Sequence, residues 1–158
     1  MTSPSSMGPV YLDANPVAYA FEGPEELAAA LKDLFALFRG RTGLAVTSDL
    51  TLAGVLPKRK TPDRQFLDLL IWSGIFDLRS VTPEILTEAA PYRRMAAVRR
   101  PDGTLAFPKL PDAIHVVTAI RSGCSIFVSS DGRLRLPNTM RLVSPDFTGI
   151  TELVRELK

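Results

Sequence analysis

Short, continuously apolar runs alternate with segments of helical periodicity along this chain. Val10–Leu12 and Ile126–Val128 are typical of buried strands, while Glu25–Arg39 places its leucines and phenylalanines on one helical face and is followed by Gly40. Strands that are apolar on both faces need cover on both sides, and helices between consecutive strands provide it in a parallel arrangement. The pattern therefore predicts an α/β fold with a short, mainly parallel central sheet.

Size and composition fit one compact unit. The chain has 158 residues, 46% of them hydrophobic, which is enough for one well-buried core. We expect a single domain over residues 10–158, preceded by a flexible Ser/Pro-rich segment over residues 1–9. No apolar run reaches the ~18 residues of a membrane span, so we expect a soluble, cytoplasmic protein without membrane contact. The single Cys124 has no partner for an internal disulfide and is expected to be buried.

Two further interpretations concern the middle of the chain. The helical pattern after Thr61 contains Phe66 and Leu70, and we expect Trp72 to join them in the core because large aromatic residues are usually buried there. A second helix is expected to begin after Thr82 and to run toward Val98, with a break or kink at Pro91.

Acidic residues occupy the positions where a parallel sheet binds ligands. Asp13 follows the first apolar run, and Asp131 follows the run Ile126–Val128. Ligands of such sheets collect at the carboxyl ends of the strands. Asp112, in the first turn of the helix that leads into the later strand, is able to reach the same edge. Carboxylates gathered in this way suit a divalent cation, which also neutralises their mutual repulsion.

Four blocks of sequence resemble, in order and spacing, the signature blocks of PIN domains. They are residues 10–15 (VYLDAN), 47–53 (TSDLTLA), 110–115 (LPDAIH) and 127–131 (FVSSD). The resemblance implies a PIN-like three-layer α/β/α sandwich and a ribonuclease of the VapC toxin class that uses Mg²⁺ or Mn²⁺. It also implies a homodimer and a cognate antitoxin that inhibits the enzyme, while the RNA that is cut stays open.

The resemblance further assigns roles to single residues. Asp13, Asp112 and Asp131 match the acids that hold the metal, Asn15 matches the polar residue beside the first acid, and Ser129 matches a hydroxyl that orients the site. His115 matches a recurrent position one helical turn after Asp112. We interpret it as a residue that hydrogen-bonds within the fold.

One signature residue is missing. Where PIN domains usually carry a second acid, this chain has Gly54, so we expect a weak nuclease. Asp49 lies five positions earlier, about 140° away around a helix, and is a poor geometric substitute. It is kept as a further candidate because it could lie in the turn before the helix.

Basic residues are clustered although the net charge is only +2. Such clusters bind phosphates when they face one groove, and otherwise they are solvated surface. The candidates for RNA binding are Lys58, Arg59, Lys60, Arg93, Arg94 and Arg133.

Two other functions fit parts of the sequence. Haloacid-dehalogenase-type phosphatases place a second Asp two residues after the first, where this chain has Asn15, and their catalytic lysine has no obvious counterpart. The stronger alternative is a PIN-like module that has lost catalysis with its acid at Gly54 and binds RNA or protein.

Overall fold

The fold is built on one parallel sheet. In a computed structural model that describes residues 7–57 and 60–158, five strands pair in the order β3-β2-β1-β6-β7, and every pairing is parallel. The strands are β1 (Val10–Leu12), β2 (Ala45–Ser48), β3 (Phe76–Arg79), β6 (Ile126–Val128) and β7 (Arg141–Val143). This arrangement confirms the predicted α/β class.

Helices cover both faces of this sheet. Their bounds are α1 (Ala14–Glu22), α2 (Glu25–Arg39), α3 (Leu50–Val55), α4 (Asp63–Leu67), α5 (Pro83–Met95), α6 (Leu110–Arg121) and α7 (Phe147–Leu157). A π-helical turn, Asp68–Trp72, continues α4. Between α5 and α6 the strands β4 (Val98–Arg99) and β5 (Leu105–Ala106) form a separate antiparallel hairpin.

Residue alternation in the central strands divides the core into two layers. In β1, Val10 and Leu12 belong to the core under α1, α2 and α7, whereas Tyr11 points to the core under α5 and α6. Phe127 of β6 lies in the same layer as Tyr11, and the two rings stack with their centroids 4.9 Å apart. Both faces of the central strands are therefore buried, as the continuous apolar runs predict.

The chain order creates a crevice at the centre of the sheet. From β1 the chain builds outward through β2 and β3, and it then returns to the other side of β1 to add β6 and β7. Loops leave the carboxyl ends of β1 and β6 in opposite directions, and this switch point is where open α/β sheets bind ligands. In register, Leu12 pairs with Val128, so Asp13 and Ser129 follow directly at adjacent strand ends.

Two sequence-based expectations are wrong. Trp72 is 68% exposed, because Phe66 and Leu70 already define the buried face and a residue two positions after Leu70 points to the opposite side. Helix α5 is not broken at Pro91 but continues through it to Met95, where it ends before Val98 begins the hairpin. The part of the N-terminal expectation that concerns residues 1–6 lies outside the described residues.

Two other expectations, on helix α2 and on Cys124, are confirmed. Helix α2 has the predicted bounds, and Cys124 is buried beside β6, where burial raises the pKa of its thiol to about 12. Among the described residues, no helix combines the length and the apolar character that a membrane crossing requires.

Candidate active site

The switch-point crevice contains a largely buried carboxylate. Asp13 is the residue between β1 and α1, and its backbone N–H donates to the carbonyl of Val128 over 3.3 Å. Its Oδ1 atom is buried and has no hydrogen-bond partner within the described part of the chain. A buried acceptor left without a donor is costly, so this oxygen is suited to a ligand.

The electrostatic surroundings of Asp13 make its ionised carboxylate less favourable than that of an exposed aspartate. Burial raises the pKa of Asp13 to about 6, and the negative charges of Asp112 and Asp131 add to this shift. Hydrogen bonds from the Ser129 hydroxyl and from the backbone of Asn15 act in the opposite direction. The three predicted acids therefore influence one another across the same crevice.

Asp112 and Asp131 come from different elements. Asp112 lies in the first turn of α6, and burial raises its pKa, with a further contribution from Asp131 and an opposing one from Lys109. Asp131 lies in the loop after β6, where its Oδ1 accepts the backbone N–H of Arg133 over 3.0 Å. Within the described ranges, no three acidic, imidazole or thiol groups are close enough to enclose a cation directly.

The two polar residues assigned from the resemblance join the loops around Asp13. Asn15 donates from Nδ2 to the Ser130 hydroxyl over 2.7 Å, which connects the start of α1 to the loop after β6. Ser129 is buried, and its hydroxyl accepts the backbone N–H of Asp131 over 3.2 Å. Ser129 thus contacts both Asp13 and Asp131.

Position 54 faces the site. A cleft of about 290 Å³ between α1, α3 and α6, here called the acidic cleft, is lined by Asp13, Asn15, Gly54, Asp112 and His115 together with apolar neighbours. A Cβ atom at Gly54 would lie 2.8 Å from the Cβ of Ala14, closer than such atoms approach. At position 54, where the acid is missing, α1 and α3 therefore pack closely together.

Asp49 is not brought to this cleft. Its Oδ1 accepts the backbone N–H of Val81 over 3.1 Å, which anchors the loop between β3 and α5. The geometry gives Asp49 a structural role, away from the side of α3 on which Gly54 lies.

His115 is buried behind the acids. Its Nδ1 lies 2.6 Å from the hydroxyl of Tyr11, and burial lowers the pKa of the imidazole to about 4. The neutral ring is hydrogen-bonded to the tyrosine hydroxyl, in keeping with the role inside the fold expected for it.

A second cavity begins on the other side of Asp112. This groove, about 500 Å³ in volume, is lined by Asp112 and Asp131 and by residues of the hairpin, of α5 and of the loop after Asp131. We call it the basic groove, since four cationic side chains line it: Arg100, Lys109, Arg133 and Arg135.

Of the predicted RNA-binding residues that the structure describes, only Arg133 lies in this groove. Arg133 lines it, whereas Arg93 and Arg94 do not, and the Nε of Arg93 donates to the carbonyl of Pro108 over 2.8 Å. Lys60 is exposed away from the groove, and Lys58 and Arg59 lie outside the described residues. Lys109 was not predicted because no other basic residue lies near it in the sequence. Its position directly before α6, whose first turn contains Asp112, could have indicated it.

Comparison with known proteins agrees with this architecture. A family profile described as "PIN domain" matches residues 10–138, so the chain belongs to the PIN domain family. No curated protein sequence matches it. The fold resembles Mycobacterium tuberculosis VapC20, a sarcin-ricin loop cleaving toxin, with a TM-score of 0.53 and 16% identity over 77% of this chain and 91% of that one.

A second solved structure has the same fold. It is FitAB bound to an IR36 DNA fragment, with a TM-score of 0.56 and 17% identity over 86% of this chain and 94% of that one. At such low identity these likenesses establish the fold, and the PIN resemblance drawn from the four sequence blocks is confirmed by the family match.

Proposed function

We propose that this chain is an endoribonuclease of the VapC toxin type that depends on Mg²⁺ or Mn²⁺. The observation that carries the proposal is the buried Oδ1 of Asp13 at the switch point, which has no hydrogen-bond partner among the described residues, with Asp112 and Asp131 near enough for their charges to raise the pKa of Asp13. A site that disfavours its own ionised carboxylate gains free energy when a cation binds there.

The donor set suits a hard divalent cation. Asp13, Asp112 and Asp131 would hold the ion partly through bridging water molecules, because the three are not close enough to enclose it directly and Mg²⁺ usually retains several waters. Such an ion supplies Lewis-acid stabilisation of the charge on a phosphodiester. Ser129 keeps the carboxylate of Asp13 oriented, and the cations of the basic groove neutralise the RNA backbone on one side of the acids.

The toxin assignment extends the family assignment. VapC20 is a toxin of known structure with this fold, and the four signature blocks resemble its class. We infer by that analogy a cytoplasmic homodimer whose activity a cognate antitoxin inhibits. The RNA that VapC20 cuts is a property of VapC20 and is not transferred to this chain.

A second function is favoured by one observation at position 54. Gly54 lines the acidic cleft, and its contact with Ala14 leaves no room for a side chain without movement of α1 or α3. A site with three acids binds cations less strongly than one with four. The alternative is therefore a PIN-like module that binds RNA or protein with little or no cleavage.

Metal binding and cleavage of structured RNA separate the two functions. The parent is expected to bind Mn²⁺ in calorimetry and to cut RNA in an EDTA-sensitive manner. Asp112→Asn should weaken both by more than the about 10- to 100-fold that loss of an outer-shell partner costs. Asp33→Asn, which removes an exposed acid on α2, is the matched control and should behave as the parent.

The outcomes are distinct. RNA binding without EDTA-sensitive cleavage would favour the binding module. Unchanged Mn²⁺ affinity in Asp112→Asn would mean that the acids of the crevice do not form the metal site.

A further inference from the structure

An aromatic side chain is exposed in the basic groove. Phe107 follows β5, lines the groove and is 48% exposed. It belongs to neither layer of the core, and within the described ranges its ring stacks on no other aromatic ring. A large apolar ring left in water at the wall of a groove is suited to a ligand surface.

The backbone around Phe107 is held from three sides. The preceding residues are paired in the β4–β5 hairpin, and Leu110 begins α6 three residues later. Between them, the carbonyl of Pro108 accepts the hydrogen bond from Arg93 on α5. Phe107 therefore sits on a short extended segment fixed to the hairpin and to two helices, which limits the entropy lost when a ligand packs on the ring.

The charges beside the ring match a polyanion. Arg100, Lys109, Arg133 and Arg135 line the same groove, and each is exposed or only partly covered. Cations suit phosphates, while an aromatic face suits a nucleobase, and proteins that bind single strands combine these two features. A paired base buries its faces in the helical stack, so the ring favours an unpaired nucleotide.

The structure assigns Phe107 as a stacking platform for one unpaired base of the bound RNA. The base would lie on the ring while the cations of the groove hold its flanking phosphates, and Asp112 and Asp131 line the same groove. This assignment rests on the proposed function, because it takes RNA as the ligand of the groove. It predicts a preference for RNA that has an unpaired nucleotide beside the site of cleavage.

Binding of a short single-stranded RNA in EDTA tests the assignment without cleavage. The oligonucleotide carries 2-aminopurine, whose fluorescence falls on stacking, and a second version carries an abasic site at the same position. Phe107→Ala should weaken binding of the first RNA by about 5- to 100-fold and abolish the quenching, while Phe107→Trp should retain both. The abasic RNA should bind the parent and Phe107→Ala equally.

Phe147 provides a matched control. It is 49% exposed at the start of α7 and does not line the groove, so Phe147→Ala removes an equally exposed ring and should leave affinity and quenching unchanged. Circular dichroism and thermal melting of each variant confirm that the fold is retained.

The outcomes separate this inference from the proposed function. Stacking without EDTA-sensitive cleavage would support the platform and reject the nuclease. Cleavage with parent-like RNA affinity and quenching in Phe107→Ala would reject the platform and leave the nuclease in place, and a protein partner would then be the better occupant for the exposed ring.

Discussion

The contact between Gly54 and Ala14 yields a prediction in which two effects oppose each other. Replacing a glycine inside a helix by alanine ordinarily stabilises the protein by about 1 kcal/mol. Here the added Cβ would lie 2.8 Å from the Cβ of Ala14, where carbon atoms prefer about 3.5–4.0 Å. Overpacking of this kind costs about 1–3 kcal/mol, so Gly54→Ala should fail to stabilise the protein and should destabilise it by up to about 2 kcal/mol.

A double-mutant cycle isolates this contact. Ala14→Gly removes the opposing Cβ, and in that background Gly54→Ala should regain the ordinary helix preference. The free energy of unfolding, measured by urea denaturation for all four proteins, should give a coupling of about 1–3 kcal/mol in favour of the double variant. If Gly54→Ala instead stabilises the parent by about 1 kcal/mol with no coupling, the two helices have room to adjust and the steric argument is wrong.

The same pair of positions also tests metal binding in the acidic cleft. Gly54→Glu alone should add the missing acid at a cost in stability, whereas Ala14→Gly with Gly54→Glu should tolerate it and bind Mn²⁺ more tightly than the parent. Isothermal calorimetry with Mn²⁺ is the measurement. Equal affinity in the double variant and the parent would indicate that a side chain at position 54 does not reach the cation.

Two further predictions concern buried polar groups. Because the pKa of Asp13 is raised to about 6, the metal-free protein should lose up to ~3 kcal/mol of stability as pH rises from about 4 to about 6. Asp13→Asn should flatten this profile in denaturation experiments, whereas Asp33→Asn should keep it. Parallel profiles for the parent and Asp13→Asn would contradict the assignment. Tyr11→Phe should destabilise the protein by about 1–3 kcal/mol, because it leaves Nδ1 of buried His115 without its hydrogen-bond partner. A loss of stability too small to measure by denaturation would mean that this hydrogen bond contributes little.

The features that were predicted correctly are those marked by a pattern of residues along the chain. Asp13 and Ser129 follow short apolar strands, and strand ends in a parallel sheet meet at one edge whatever the helices do. The central sheet and the crevice acids could therefore be placed without coordinates. Their roles as metal ligands stay predictions.

The features that escaped prediction depend on how separate elements pack. The hairpin strands are only two residues long, and Val98 and Leu105 are both exposed, so no alternation marks them. The predicted pair Arg93 and Arg94 does not line the groove, whereas the predicted Arg133 does. The cations of the groove come from the hairpin, from the start of α6 and from the loop after Asp131.

The three-residue length of β1 limits how this site can change over evolution. Because Val10 and Tyr11 point to opposite layers and pair with neighbours on both sides, inserting or deleting one residue would exchange the two layers and shift Asp13 along the sheet edge. The position of Asp13 therefore cannot change without disturbing the packing of the core. Substitutions at positions on helices, such as Gly54, do not depend on strand register. We therefore expect new metal preferences or the loss of catalysis to arise first at such positions.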